Sequence, residues 1–70
     1  MLRLPINCRI IATVGYQSGD ELLELEFNNG QVYQYEGVSV EVYRAMMGSP
    51  KPGDYYREHI RYHFPYRRIR

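Results

Sequence analysis

Apolar and polar side chains alternate along the segment LLELEF, residues 22–27. Leu23, Leu25 and Phe27 fall on one side and the glutamates between them fall on the other, which is the period of a half-buried β-strand. The preceding segment RIIATVGY, Arg9–Tyr16, is rich in β-branched residues and is followed by a cluster of turn residues at positions 17–20. It therefore predicts a strand that pairs with the alternating segment as an antiparallel neighbour.

The segment NNG, residues 28–30, predicts a hairpin turn that leads into a third strand, Gln31–Glu36. The length of this turn decides which side of the third strand is buried, because a shift of one residue moves every side chain to the opposite face. A two-residue turn at Asn29-Gly30 would place Tyr33 and Tyr35 on the outer face, beside the glutamates.

A three-residue loop with a left-handed Gly30 gives the opposite orientation. Leu25 then faces Tyr33, and Leu23 faces Tyr35. We favour this loop because five apolar side chains then share one side and only one valine is misplaced. It predicts that the two tyrosines pack into the core and do not form an exposed stacking surface.

A first helix is predicted at Ser39–Met47. Ser39 is a favourable N-cap, and Glu41 lies in the first turn, where the helix dipole favours an acid. Gly48 is expected to end the helix.

A second, short helix is predicted at YYREHIR, residues 55–61, after the stiff loop SPKPG. Asp54 is expected to cap it. Pro65 ends the helical region, and we expect residues 66–70 to form a flexible basic tail.

The element order predicts an α+β fold, an antiparallel three-stranded β-meander followed by two short helices packed on one face. Residues 1–70 are taken as a single domain, since a chain of this length has room for one. Cys8 is the only cysteine, so no intramolecular disulfide is expected and a reducing, cytoplasmic setting is predicted. The apolar runs are too short to span a bilayer, so no membrane association is expected.

The order of the motifs resembles the KTSC domain over nearly the whole chain. The matching segments are VGY at residues 14–16, the stretch from residue 23 to residue 38, Val42-Tyr43, and YYREHIRYHFPYRRI at residues 55–69. The family is named for its occurrence at the C-terminus of some lysyl-tRNA synthetases, and it also occurs as small free-standing bacterial or phage proteins. The resemblance implies the α+β fold, and the fusion to a synthetase suggests RNA binding.

The chain departs from the family pattern at several polar positions. Cys8 and Arg9 stand where the family has a serine pair, Arg57 stands for an asparagine, and Tyr62 stands for a glycine. If serine and asparagine side chains form a site in the family, this chain has lost part of it.

Catalytic and metal-binding motifs are not apparent in the sequence. His59 and His63 have the four-residue spacing of two metal ligands on one helix face, but no third ligand accompanies them. Cys8 lies in no acyl-transfer motif, and there is no glycine-rich phosphate loop. We therefore predict a protein that is not an enzyme and that uses no metal or cofactor.

Basic residues concentrate in the second half of the chain. Residues 36–70 contain seven basic and four acidic residues, a net charge of +3, and nearly all of the basic residues are arginine. Arginines here are interleaved with aromatic residues, and guanidinium groups pair with phosphates while aromatic rings stack on bases. The candidate nucleic-acid-binding residues are Arg57, Arg61, Tyr62, Tyr66, Arg67 and Arg68.

This combination predicts a small binding module for single-stranded RNA, which is recognised mainly by stacking. Arg57 and Arg61 are four residues apart and are expected to project together beside the Arg67-Arg68 segment. The alternative is a protein-interaction module that docks on an acidic partner surface, for example a small regulator of the transcription or translation machinery. The sequence leaves the oligomeric state open.

Overall fold

A computed structural model describes residues 1–70, which form one antiparallel five-stranded sheet with two helices on one of its faces. The strands lie side by side in chain order, from β1 to β5. Neither helix has the length or the apolar composition that crossing a bilayer requires. The elements are β1 (Arg3–Pro5), β2 (Ile11–Gln17), β3 (Leu22–Phe27), β4 (Val32–Tyr35), α1 (Val40–Gly48), α2 (Pro52–His59) and β5 (Tyr66–Arg68).

The hairpin between β3 and β4 has the predicted register. Leu25 pairs with Tyr33, and Leu23 pairs with Tyr35. The loop contains three residues and ends at Gly30, whose φ of +89° lies in the left-handed region that glycine adopts without strain. The prediction that both tyrosines face the buried side of the sheet is therefore confirmed.

The sheet has five strands, so the prediction of a three-stranded meander is wrong in this respect. Strand β1 contains only three residues and ends in Pro5, which is tolerated because β1 is an edge strand. Strand β5 has the sequence YRR with all three side chains exposed. Neither segment shows apolar alternation, and both are held by backbone pairing that the residue types do not reveal.

The residues after Pro65, assigned from the sequence to a basic tail, pair with β4. Beyond β5, the backbone groups of Val32 bond to Ile69 and Arg70, with an Ile69 N to Val32 O distance of 2.8 Å. The Arg70 guanidinium lies 2.7 Å from a carboxylate oxygen of Glu26. The C-terminal segment is thus joined to the sheet by both main-chain and side-chain contacts.

The first helix begins as predicted, with the Ser39 hydroxyl accepting a hydrogen bond from the Val42 backbone. The second helix begins three residues earlier than predicted, because Pro52 occupies its first turn, where a missing N–H costs nothing. Its N-cap position is Lys51, so the prediction that Asp54 is the cap is wrong. The helix ends at His59, before the predicted end at residue 61.

The core lies between the helices and the inner face of the sheet, the face that carries Leu25 and Tyr35. A β-bulge between Ile11 and Thr13 turns Ile11 onto this face, where it lies opposite Phe27 and is fully buried. The core residues are Ile11, Val14, Leu23, Leu25, Tyr35, Val38, Met46, Tyr56 and Ile60.

The outer face of the sheet carries a row of polar contacts from β1 to β5. Arg3 pairs with Glu24 at 3.2 Å, and the Gln34 amide donates to the same carboxylate at 2.8 Å. Arg67 in turn donates to the Gln34 side-chain oxygen at 3.3 Å. Gly15 leaves room for this row, since a Cβ at its position would lie 2.9 Å from the Arg3 side chain. The row fixes Arg67 on the face opposite the helices.

Candidate functional site: an aromatic cleft

A cleft opens where β4 and β5 approach the end of α2, and its floor is a pair of buried tyrosines. Tyr35 is 1% exposed and Tyr56 is 5% exposed. Their hydroxyl oxygens lie 2.5 Å apart, and the two rings meet nearly edge to face, with centroids 5.8 Å apart. The cleft has a volume of about 320 Å³.

Burial raises the pKa of both floor tyrosines above the ordinary value of 10.0, because a phenolate would lose its hydration there. For Tyr35, the hydrogen bond to Tyr56 raises the pKa further. Both hydroxyls therefore keep their protons at neutral pH.

The walls of the cleft are also aromatic. The Tyr33 and Tyr66 rings lie 5.7 Å apart at an angle of 32°, and Tyr66 also approaches Tyr35 at 5.6 Å. Phe27 meets Tyr33 edge to face at 5.7 Å. Tyr66 remains 54% exposed, so it has ring surface available to a ligand.

Arg61 and Tyr62 complete the cleft on the side of α2. The Arg61 guanidinium carbon lies 5.0 Å from the centroid of the Tyr62 ring, within cation–π distance. Tyr62 is 76% exposed. Arg61 is the only charged residue that lines the cleft, and neither a carboxylate nor a histidine borders it.

Arg57 borders a second cleft of about 400 Å³, between the loop before β2 and the start of α2. It pairs with Asp54 at 2.6 Å, so part of its charge is already neutralised. Cys8 and Lys51 line the same cleft, and Ile10 borders both clefts. Because α2 ends at His59, Arg57 and Arg61 line different clefts and do not form the single ridge that their spacing predicted.

The structure brings together three of the six candidate residues, Arg61, Tyr62 and Tyr66. Arg67 is on the outer face of the sheet. Arg68 pairs with Tyr33 in the register of β4 and β5, so it lies on the inner face at the sheet edge. Its side chain donates to the Arg70 carbonyl at 3.1 Å.

Several residues of the cleft were not among the candidates. Tyr33, Tyr56, Phe27 and Gln31 all line it. The alternation of β3 and β4 had already placed Tyr33 on the inner face, and that signal was available. Strand β5 was not indicated by the sequence. It places Tyr66 beside Tyr33, and the two rings together form one wall of the cleft.

The two histidines have separate surroundings. The His59 ring lies 4.5 Å from the Tyr55 ring, and His63 contacts the Glu58 carbonyl at 3.0 Å. No group of three or more histidine, cysteine, aspartate or glutamate side chains is arranged to hold a metal ion.

The raised pKa values predict a loss of stability at alkaline pH. Above pH 10 the unfolded chain releases the protons of Tyr35 and Tyr56 while the folded chain retains them. The contribution of these two tyrosines to the free energy of unfolding should therefore be constant below pH 10. Above pH 10 it should fall, by up to about 1.4 kcal/mol per pH unit for each tyrosine. Tyr16 adds to this decline, because burial and the nearby Glu21 and Glu41 carboxylates also raise its pKa.

Urea unfolding at a series of pH values from neutral to 11 measures this dependence. Tyr56→Phe removes one of the two groups and should make the alkaline decline shallower. A decline of the same steepness in wild type and Tyr56→Phe would show that Tyr56 is not a cause of it.

Comparisons with known proteins agree with the resemblance seen in the sequence. A family model of the KTSC domain matches residues 8–64. An uncharacterized protein from Stutzerimonas stutzeri (strain A1501) is 30% identical over 70 residues, which is 99% of each chain. The crystal structure of a KTSC domain protein from Yersinia pestis has a TM-score of 0.95 and 28% identity, covering 99% of this chain and 97% of the other. The elements that build the cleft therefore belong to a fold that the two chains share.

Proposed function

We propose that this chain, which belongs to the KTSC domain family, is a small non-catalytic module that binds single-stranded RNA at the aromatic cleft. Stacking on aromatic rings and pairing of arginine with phosphate are the two interactions that single-stranded nucleic acid uses most. The fusion of the same domain to lysyl-tRNA synthetases is consistent with a role beside RNA.

The observation that carries this proposal is the convergence of Arg61, Tyr62 and Tyr66 on one cleft without a carboxylate. Both tyrosines have exposed ring surface, which a base can cover. Arg61 is exposed and pairs with no acidic side chain, so its charge is available to a phosphate. A neighbouring Arg68 adds positive charge at the same edge of the sheet.

An NMR titration tests the proposal. We expect a short single-stranded RNA to shift the amide signals of Arg61, Tyr62 and Tyr66 in a saturable manner, because these residues contact the strand. Acidic polypeptide, such as polyglutamate, is the control for a purely electrostatic response. Equal shifts with RNA and with polyglutamate would contradict a cleft built for RNA.

A protein-docking function is the second candidate, and a different part of the molecule favours it. Leu2 directly precedes β1 and is 80% exposed, and Leu4 lies within β1, at a free edge of the sheet, and is 54% exposed. A free edge can accept a further strand from a partner. The variant Leu2→Asp with Leu4→Asp separates the two candidates, since RNA binding at the cleft should survive it unchanged.

A further inference from the structure

The hydroxyl groups of Tyr35 and Tyr56 carry two protons, and the hydrogen bond between them uses only one. Each hydroxyl has one proton to donate, yet Tyr35 and Tyr56 make one hydrogen bond to each other. One hydroxyl therefore donates, and the other accepts while its own proton stays without an acceptor in the protein. Both residues border the cleft.

The walls and the volume restrict what can enter. A volume of about 320 Å³ is near the lower end of the roughly 300–1,000 Å³ typical of small-molecule sites. Tyr62 and Tyr66 offer exposed ring faces, which favour a flat π-system. Arg61 favours an anionic group next to that π-system, and no carboxylate opposes it.

We propose that the aromatic cleft binds a single unstacked nucleobase of an RNA strand. The Tyr35 or Tyr56 hydroxyl whose proton has no acceptor in the protein donates a hydrogen bond to an acceptor atom of this base. This inference rests on the proposed function and names the part of the strand that the cleft takes. Every nucleobase carries a carbonyl oxygen or a ring nitrogen that accepts such a bond. The side-chain amide of Gln31, at the border of the cleft, supplies further donors and an acceptor. Arg61 meets the adjacent phosphate.

Comparing two strands tests this inference. The probes are a short labelled oligouridylate and the same strand with one abasic nucleotide at its centre, both at low salt. The intact strand is expected to bind about 5- to 150-fold more tightly than the abasic one, the range that a single base–aromatic stack supplies. The readout is fluorescence anisotropy of the labelled strand.

Two variants assign that difference to the cleft. Tyr62→Ala removes an exposed ring that has no core contacts, and it should abolish most of the preference for the intact strand. The double variant Tyr35→Phe with Tyr56→Phe keeps both rings and removes both hydroxyl protons, so no spare proton remains and the preference should fall by several-fold. Thermal melting of each variant checks that it folds.

The possible failures are distinguishable. Equal binding of the intact and abasic strands by the wild-type protein would contradict the binding of a nucleobase in the cleft while leaving RNA binding in place. A preference that survives unchanged in Tyr62→Ala would also overturn it. Failure of both strands to bind at low salt would overturn the proposed function itself.

Discussion

Replacing Tyr35 with alanine is expected to lower the free energy of unfolding by about 3–5 kcal/mol, as large aromatic truncations in cores do. Tyr35 is 1% exposed, and its ring approaches those of Tyr33, Tyr56 and Tyr66. At roughly 0.05–0.15 kcal/mol per residue, a domain of 70 residues has a total stability of about 3.5–10.5 kcal/mol, so this loss is a large fraction of the total. Circular dichroism during urea unfolding measures the difference.

Tyr35→Phe is the matched control for this prediction. It keeps the ring and removes only the hydroxyl that contacts Tyr56, so we expect a loss of about 1 kcal/mol. An unmoved melting curve for Tyr35→Ala, together with lost binding, would mean that this tyrosine is an exposed platform and that the register of β4 is not the one described.

Replacing Arg61 with alanine has the largest effect that we expect on RNA binding. Each phosphate contact to a single strand contributes about −0.7 to the slope of log affinity against log salt concentration. The slope for the variant should therefore be less steep than that of wild type by about 0.7. Stability should remain within about 0.5 kcal/mol of wild type because the side chain is exposed. Fluorescence anisotropy with a labelled single-stranded RNA, repeated across salt concentrations, gives the slope.

Two other arginines serve as controls for that result. Arg44 is exposed on α1 and borders neither cleft, so Arg44→Ala should leave the slope unchanged. Arg57→Ala should have a smaller effect than Arg61→Ala, because Asp54 already pairs with Arg57. Equal losses in the three variants would indicate diffuse attraction to positive charge and no localised site.

The hairpin between β3 and β4 was predictable because the alternation of apolar residues and the length of the turn indicate the same register. Leu23 and Leu25 alternate with acids, and Gly30 supplies the left-handed residue that sets the register. Strands β1 and β5 were not predictable in this way. Each is a short edge strand whose residue types carry no periodic signal, and each forms because a neighbouring strand offers unpaired backbone groups.

The same limit explains why the candidate site was only partly predicted. Sequence spacing placed Arg57 and Arg61 on one face of a helix, but the helix ends between them at His59. The Tyr56 carbonyl accepts from the backbone N–H of Ile60 and also from that of Arg61, which closes the helix and carries Arg61 toward the aromatic cleft. Alternation along β5 then separates Arg67 from Arg68, since neighbouring residues of a strand point to opposite faces.

The salt dependence of binding between the wild-type protein and a labelled single-stranded RNA is the most direct test of the account. Contacts of two phosphates with Arg61 and the neighbouring Arg68 predict a slope of roughly −1.4 between low and physiological salt. A protein-docking surface predicts no preference for nucleic acid and a shallower dependence on salt with its own partner. Absence of RNA binding even at low salt would contradict the proposed function, since a cleft bordered by Arg61 that takes an RNA strand must show at least non-specific association there.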